Sequence, residues 1–151
     1  MKARVTYEPA AQTDLDALVS LRIEAMRESL LHLGRFDPAR ARERFASGFD
    51  PACTRHILVD GQRVGFLVVK EQPDGLLLDH LYLRPEAQGQ GVGSRVLREV
   101  LAGADARGLP LHVGALRDSP ANAFYIRHGF RQVGEADWDI YYRREPTQNG
   151  A

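Results

Sequence analysis

Residues 88–94 read Gln-Gly-Gln-Gly-Val-Gly-Ser. Such a run suits neither helix nor strand, because glycine destabilises both. It joins an apolar stretch, Leu76–Leu83 (LLLDHLYL), to an amphipathic one beginning SRVLREVL. A glycine-rich turn that carries a strand into a helix can bind an anion. The helix start leaves backbone N–H groups unpaired and bears partial positive charge, and glycines let a phosphate approach without meeting a Cβ. Two common phosphate motifs do not fit. The stretch lacks the Gly-Lys-Ser/Thr of a P-loop, and glycines at 89, 91 and 93 miss the Gly-x-Gly-x-x-Gly spacing of a dinucleotide fold. A plain flexible turn is the alternative.

Other chemistry-bearing residues are scattered. The histidines, at 32, 56, 80, 112 and 128, fall on different predicted elements with no paired ligand spacing, so no metal site is expected. Cys53 is the only cysteine, which excludes an internal disulfide and fits a reducing compartment. No Ser-His-Asp or Cys-His arrangement emerges. Asp79 and His80 are the ionisable side chains of the stretch before the glycines, and strand alternation puts them on opposite faces, His80 beside Tyr82.

The elements that must position these groups can be read from periodicity. Arg4–Tyr7 is a short strand. Thr13 and Asp16 suggest a cap, and apolar residues at helical spacing make 14–31 a helix, with a break near its middle left open. Asp37-Pro38 starts a second helix that turns Ala41 and Phe45 inward. Thr54–Asp60 and Arg63–Lys70, turning at Gly61-Gln62, continue with Leu76–Leu83 as a meander. Val92, Val96, Val100 and Ala104 then trace a helical stripe, followed by strand 111–116, helix 120–128 and strands 130–134 and 138–144. The order β-α-α-β-β-β-α-β-α-β-β predicts an α+β class with a mixed, mostly antiparallel central sheet flanked by helices, and the crossover makes the strands at 76 and 116 parallel.

At 151 residues the chain reads as a single domain, with a core over about 3–144 and a polar tail, PTQNGA, expected to fray. Lys+Arg and Asp+Glu balance at 20 each, and no basic run appears, which argues against nucleic acid as a partner. The pair Arg143-Arg144 reads as a solvated face. No apolar stretch has the length of a signal or membrane-spanning segment, so a soluble, cytoplasmic protein with no membrane partner is expected.

Three motifs in order resemble the GCN5-related N-acetyltransferase (GNAT) family. Gln88-Gly89-Gln90-Gly91-Val92-Gly93 fits that family's pyrophosphate motif, Gln/Arg-x-x-Gly-x-Gly/Ala. Leu81-Tyr82-Leu83-Arg84-Pro85 looks like the end of its fourth strand. Phe124-Tyr125-Ile126-Arg127-His128-Gly129-Phe130 resembles its later signature. The element order is also the family's, that of the acyl-CoA N-acyltransferase fold. The resemblance implies acyl transfer from acetyl-coenzyme A to an amine of a small molecule or peptide, without a metal. It implies main-chain contacts from Leu81, Tyr82 and Leu83 to the pantetheine arm, and from Gln88, Gly89, Gln90, Gly91, Val92, Gly93 and Ser94 to the pyrophosphate. Asn122 is a further cofactor candidate, displaced from where relatives carry an asparagine. Arg22, Met26, Ser29 and Trp138 fall on the acceptor side, Arg22 either meeting an anionic group of the acceptor or forming a surface ion pair. Dimers are common in the family.

The chemistry makes two demands. An amine of pKa about 10.4 must lose a proton at a cost of about 4–5 kcal/mol at neutral pH, to a base or to a site that lowers its pKa. The departing thiol, with pKa about 8.5, leaves with or without an acid. Tyr125 aligns with the family's tyrosine facing the thioester sulfur and is the candidate acid, with a core aromatic as its alternative. Many relatives carry a glutamate base on the fourth strand, and Leu76–Leu83 has none. His80, with the better intrinsic pKa, Asp79, or water-mediated deprotonation could serve instead. The missing glutamate also admits a second class of function, an acyl-CoA-binding or sensing module with little catalysis.

Overall fold

The computed structural model of the protein describes residues 3–32, 34 and 37–147. Its elements are β1 (Val5–Pro9), α1 (Leu15–His32), α2 (Pro38–Gly48), β2 (Thr54–Val59), β3 (Gln62–Gln72), β4 (Gly75–Leu83), α3 (Val92–Ala106), β5 (Leu111–Leu116), α4 (Ala121–Arg127), β6 (Arg131–Glu135) and β7 (Asp139–Arg144). This is the order read from the sequence. The strands are hydrogen-bonded in the order β1-β2-β3-β4-β5-β7-β6. β4 and β5 run parallel, while β1–β2, β2–β3, β5–β7 and β6–β7 are antiparallel, so the sheet is mixed and mostly antiparallel.

The residues form two compact units. Among the described residues, one comprises those up to Val68 together with His80–Gly93; the other comprises Val69–Asp79 and those from Ser94 to Thr147. In the first unit, Leu18, Val19 and Leu21 of α1, Phe45 of α2, and Phe66 and Val68 of β3 form one buried cluster. The helix α1 runs unbroken from Leu15 to His32. It holds no glycine or proline, and leucine, alanine, arginine and glutamate all favour a helix. Thr13 does not supply its cap. Instead Asp14 Oδ2 accepts the Ala11 N–H at 2.8 Å and lies 3.0 Å from Nε2 of buried His56, a bond that holds the Asp14 carboxyl below its usual range. At α2 the expected cap is present, with Asp37 Oδ1 accepting from the Arg40 N–H at 3.2 Å ahead of Pro38. The β2–β3 turn is Asp60-Gly61, both at positive φ, one residue earlier than Gly61-Gln62. An Asp-Gly pair supplies the backbone twist a two-residue hairpin needs.

In the second unit, Val96 and Ala104 of the α3 stripe are fully buried, with Leu97 beside them and Leu101 nearly so, while Val100 of the stripe is half-buried. The β4–β5 ladder covers Leu76↔Leu111, Leu77↔His112 and Leu78↔Val113. It stops there, although β4 runs on to Leu83 and β5 to Leu116. Arg144 does not lie on a solvated face: its two Nη groups donate to Asp105 at 2.9 and 3.2 Å. The N–H and hydroxyl of Thr147 reach the same carboxylate at 3.0 and 2.9 Å. The Arg144 bond in particular holds Asp105 down at a pKa of about 2. The tail expected to fray is therefore fastened as far as Thr147, and its last residues, 148–151, lie outside the described ones. No helix among the described residues is long and apolar enough to cross a membrane.

Candidate active site

After β4 ends at Leu83, the Arg84 N–H donates to Val64 O at 2.8 Å, and a tight turn over Pro85–Ala87 follows. The Gln88 N–H closes that turn on Pro85 O at 3.2 Å. Gly89 and Gly91 then adopt φ of 76° and 83°, a region that costs most L-residues about 1–2 kcal/mol. Two side chains hold the turn. Gln88 Nε2 donates to Leu83 O at 3.0 Å, and Gln90 Nε2 donates to Glu86 O at 3.1 Å.

Beyond Gln88 the main chain is open. The N–H groups of Gly89, Gln90 and Gly91, and those of Val92, Gly93 and Ser94 in the first turn of α3, have no acceptor among the described residues. A Cβ built on Gly89 or Gly91 would meet nothing within 4 Å. Unpaired donors gathered on a helix start, with open space before them, fit an anion with several oxygens. Gln88 stands apart from this row, its own N–H already being spent.

Upstream on β4, Leu81, Tyr82 and Leu83 are half-buried and lie past the end of the β4–β5 ladder. His80 sits among aromatic rings, 5.0 Å from Phe45, 6.3 Å from Phe66 and 5.6 Å from Tyr82 between centroids. It shares the face of Tyr82, as strand alternation requires. Asp79 instead pairs with Lys70 at 3.1 Å. Arg22, Met26 and Ser29 are half-buried positions on α1. The Arg22 guanidinium lies 5.8 Å from the Tyr82 ring centroid and forms no ion pair among the described residues.

In the second unit Tyr125 is buried on α4, its ring 5.4 Å from Phe130 and 6.3 Å from Tyr142. Asn122 is fully engaged: its Nδ2 donates to Leu116 O and Ser119 O, both at 2.9 Å, and its Oδ1 accepts from the Tyr142 hydroxyl at 2.7 Å. Burial pushes the Tyr142 phenol up, so it stays a donor. Trp138 is exposed in the turn between β6 and β7, just ahead of the strand expected to include it. The Gln88 and Gln90 clasps and the Tyr142–Asn122 bond were not read from the sequence. The only signal for Tyr142 is its inward place in the alternation of Ile140 and Tyr142. Among the described residues, no three His, Cys, Asp or Glu side chains gather where an ion could be held.

The strand order and the open turn at the start of α3 define the acyl-CoA N-acyltransferase fold. The family profile described as Acetyltransferase (GNAT) domain matches residues 53–132, more than half of the chain. The protein belongs to the GNAT acetyltransferase family. Solved structures agree on the fold. The PaiA N-acetyltransferase of Thermoplasma acidophilum, crystallised in complex with coenzyme A, superposes with a TM-score of 0.75 at 16% identity, over 94% of this chain and 99% of that one. The ribosomal-protein-S18-alanine N-acetyltransferase of Escherichia coli gives 0.71 at 20% identity, over 97% of each chain. An acetyltransferase of Thermus thermophilus gives 0.71 at 22% identity, over 93% of this chain and 96% of that one.

Proposed function

We propose that the protein is an N-acetyltransferase that moves an acetyl group from acetyl-CoA to a primary amine of a small molecule or peptide, by direct attack in a ternary complex. The observation that carries this reading is the row of unpaired N–H groups from Gly89 to Ser94. These groups would hold the pyrophosphate. The backbone polar groups of Leu81, Tyr82 and Leu83, past the end of the β4–β5 ladder, would take the amides of the pantetheine arm. Asn122 enters as a residue that holds the start of α4, because its amide is already committed. A thioester at this position supplies an activated acyl group and a thiol that leaves without strong assistance.

Deprotonation of the amine falls to His80 or to a water. Asp79 is already engaged by the Lys70 ammonium at 3.1 Å. His80 carries an imidazole, a side chain suited to proton transfer, and lies on the face of Tyr82. Tyr125 is the proposed acid for the departing thiolate. Arg22, Met26, Ser29 and Trp138 are proposed to meet the acceptor.

Coenzyme A release measured across an amine library, with acetyl-CoA binding followed by calorimetry, tests the reading. Turnover of at least one amine well above hydrolysis supports the enzyme. Tight acetyl-CoA binding with no turnover favours the acyl-CoA-sensing alternative. Failure to bind acetyl-CoA sinks both.

A further inference from the structure

Arg22 carries a charge that no acidic side chain among the described residues neutralises. Its neighbours three and four positions away along α1 are Leu18, Val19, Ala25 and Met26, none of which can bear a counter-charge. Glu24, the nearest acid in sequence, pairs with Arg84 at 3.5 Å. The Arg22 Nε is buried and has no hydrogen-bond partner among the described residues. The guanidinium carbon lies over the Tyr82 ring, 5.8 Å from its centroid. Withdrawing the Nε–H of a guanidinium from water without an acceptor is unfavourable. A fold that does so at a half-buried position holds the group ready for an acceptor from outside the chain.

The chemistry of that acceptor follows from the group. A guanidinium presents a planar fork of N–H donors, and the matching partner is a carboxylate taking two parallel bonds. Tyr82 is also the neighbour of His80, with ring centroids 5.6 Å apart. A small molecule resting on this ring could set an anionic group at Arg22 and an amine toward His80.

We propose that Arg22 recognises a carboxylate on the acceptor, so that the acceptor class is a free amino acid rather than the N-terminus of a peptide, where the neighbouring carbonyl is neutral. This rests on the transferase reading for its amine but not for its carboxylate, and the test separates the two. Each common L-amino acid is offered beside its own carboxamide, with acetyl-CoA, to wild type and to Arg22→Gln and Arg22→Lys. For the amino acid used, wild type should prefer the acid over the amide by about 100-fold in kcat/KM, carried mainly by KM. Arg22→Gln should reduce the preference to about threefold or less, and Arg22→Lys should restore part of it, with acetyl-CoA affinity unchanged in both. Equal use of acid and amide, or a preference that survives Arg22→Gln, overturns the proposal.

A second arm needs no turnover: calorimetry of N-acetyl amino acids and their carboxamides against the CoA-loaded protein. Acids that bind wild type but not Arg22→Gln uphold the carboxylate site even if no amine is acetylated, in which case only the transferase reading falls. If no acid binds better than its amide, the carboxylate site falls whatever the turnover arm shows.

Discussion

Gly65 and Gly91 both resist a side chain, for opposite reasons. On β3, a Cβ at Gly65 would stand 2.2 Å from Tyr82 O and 2.7 Å from Leu83 Cδ2, so the neighbouring strand itself excludes it. At Gly91 a Cβ would meet nothing within 4 Å, and the constraint is a φ of 83°. Packing explains the first glycine completely. It does not explain the second, whose turn faces open space with its N–H groups unpaired. Open space alone does not single out Gly91, since the hairpin glycine Gly61 is equally open at a φ of 85°; what sets Gly91 apart is the row of unpaired N–H groups around it.

Substitution should separate them. Gly65→Ala forces a backbone carbonyl and a leucine to move, and overpacking of this severity should lower the unfolding free energy by about 3 kcal/mol or more, read by denaturant titration. A loss below about 1 kcal/mol would mean that β4 yields easily and that the close approach has little weight. Gly91→Asp should behave in the reverse manner. Left-handed strain costs about 1 kcal/mol of stability, while a carboxylate among the N–H donors should weaken acetyl-CoA binding by about 100-fold or more by calorimetry. Wild-type affinity in that variant would refute the pyrophosphate placement.

Tyr125 stands between the two cases, since its ring is packed like a core residue while its hydroxyl is proposed to do chemistry. Tyr125→Phe keeps the packing and removes only the hydroxyl. If the hydroxyl is the acid, kcat should fall by about 100-fold with acetyl-CoA affinity unchanged. An unchanged kcat would return Tyr125 to the packed class with Gly65.

The same distinction accounts for how much could be read before the structure. Every strand and helix was legible, because hydrophobic period and turn residues are local properties: the α3 stripe and the Asp37-Pro38 cap are carried by residues within a turn of one another. The glycine turn was legible because the role proposed for it belongs to the main chain, for which residue type is a direct record. What escaped depends on partners far along the chain. Asp105 and Arg144 are separated by 39 positions, and Asp14 and His56 by 42, so nothing local distinguishes Arg144 from a solvated arginine or Asp14 from a surface acid. Asn122 was legible as a polar residue at a helix start, but the Tyr142 bond that engages it lies two strands later. Gly65 belongs here too, since its neighbour is a strand away and no motif marks it.

The finest test of the comparison is Gln88, whose side chain clasps Leu83 O at 3.0 Å from beside the open turn. It does not belong to the row of donors, since its own N–H is bonded to Pro85 O. Gln88→Ala removes one exposed hydrogen bond, worth about 1 kcal/mol, and leaves the row of N–H groups intact but less firmly posed. Acetyl-CoA affinity should then drop by about fivefold, with little response to salt because no charge has changed. Gln88→Glu loses the same donor and adds a charge near the proposed anion, so its loss should be larger and should shrink as ionic strength rises. If Gln88→Ala alone cost as much as Gly91→Asp, the glutamine side chain would itself be a ligand contact. Recognition at this turn would then belong to side chains as much as to the main chain, and the contrast between a clasp and an open row would no longer hold.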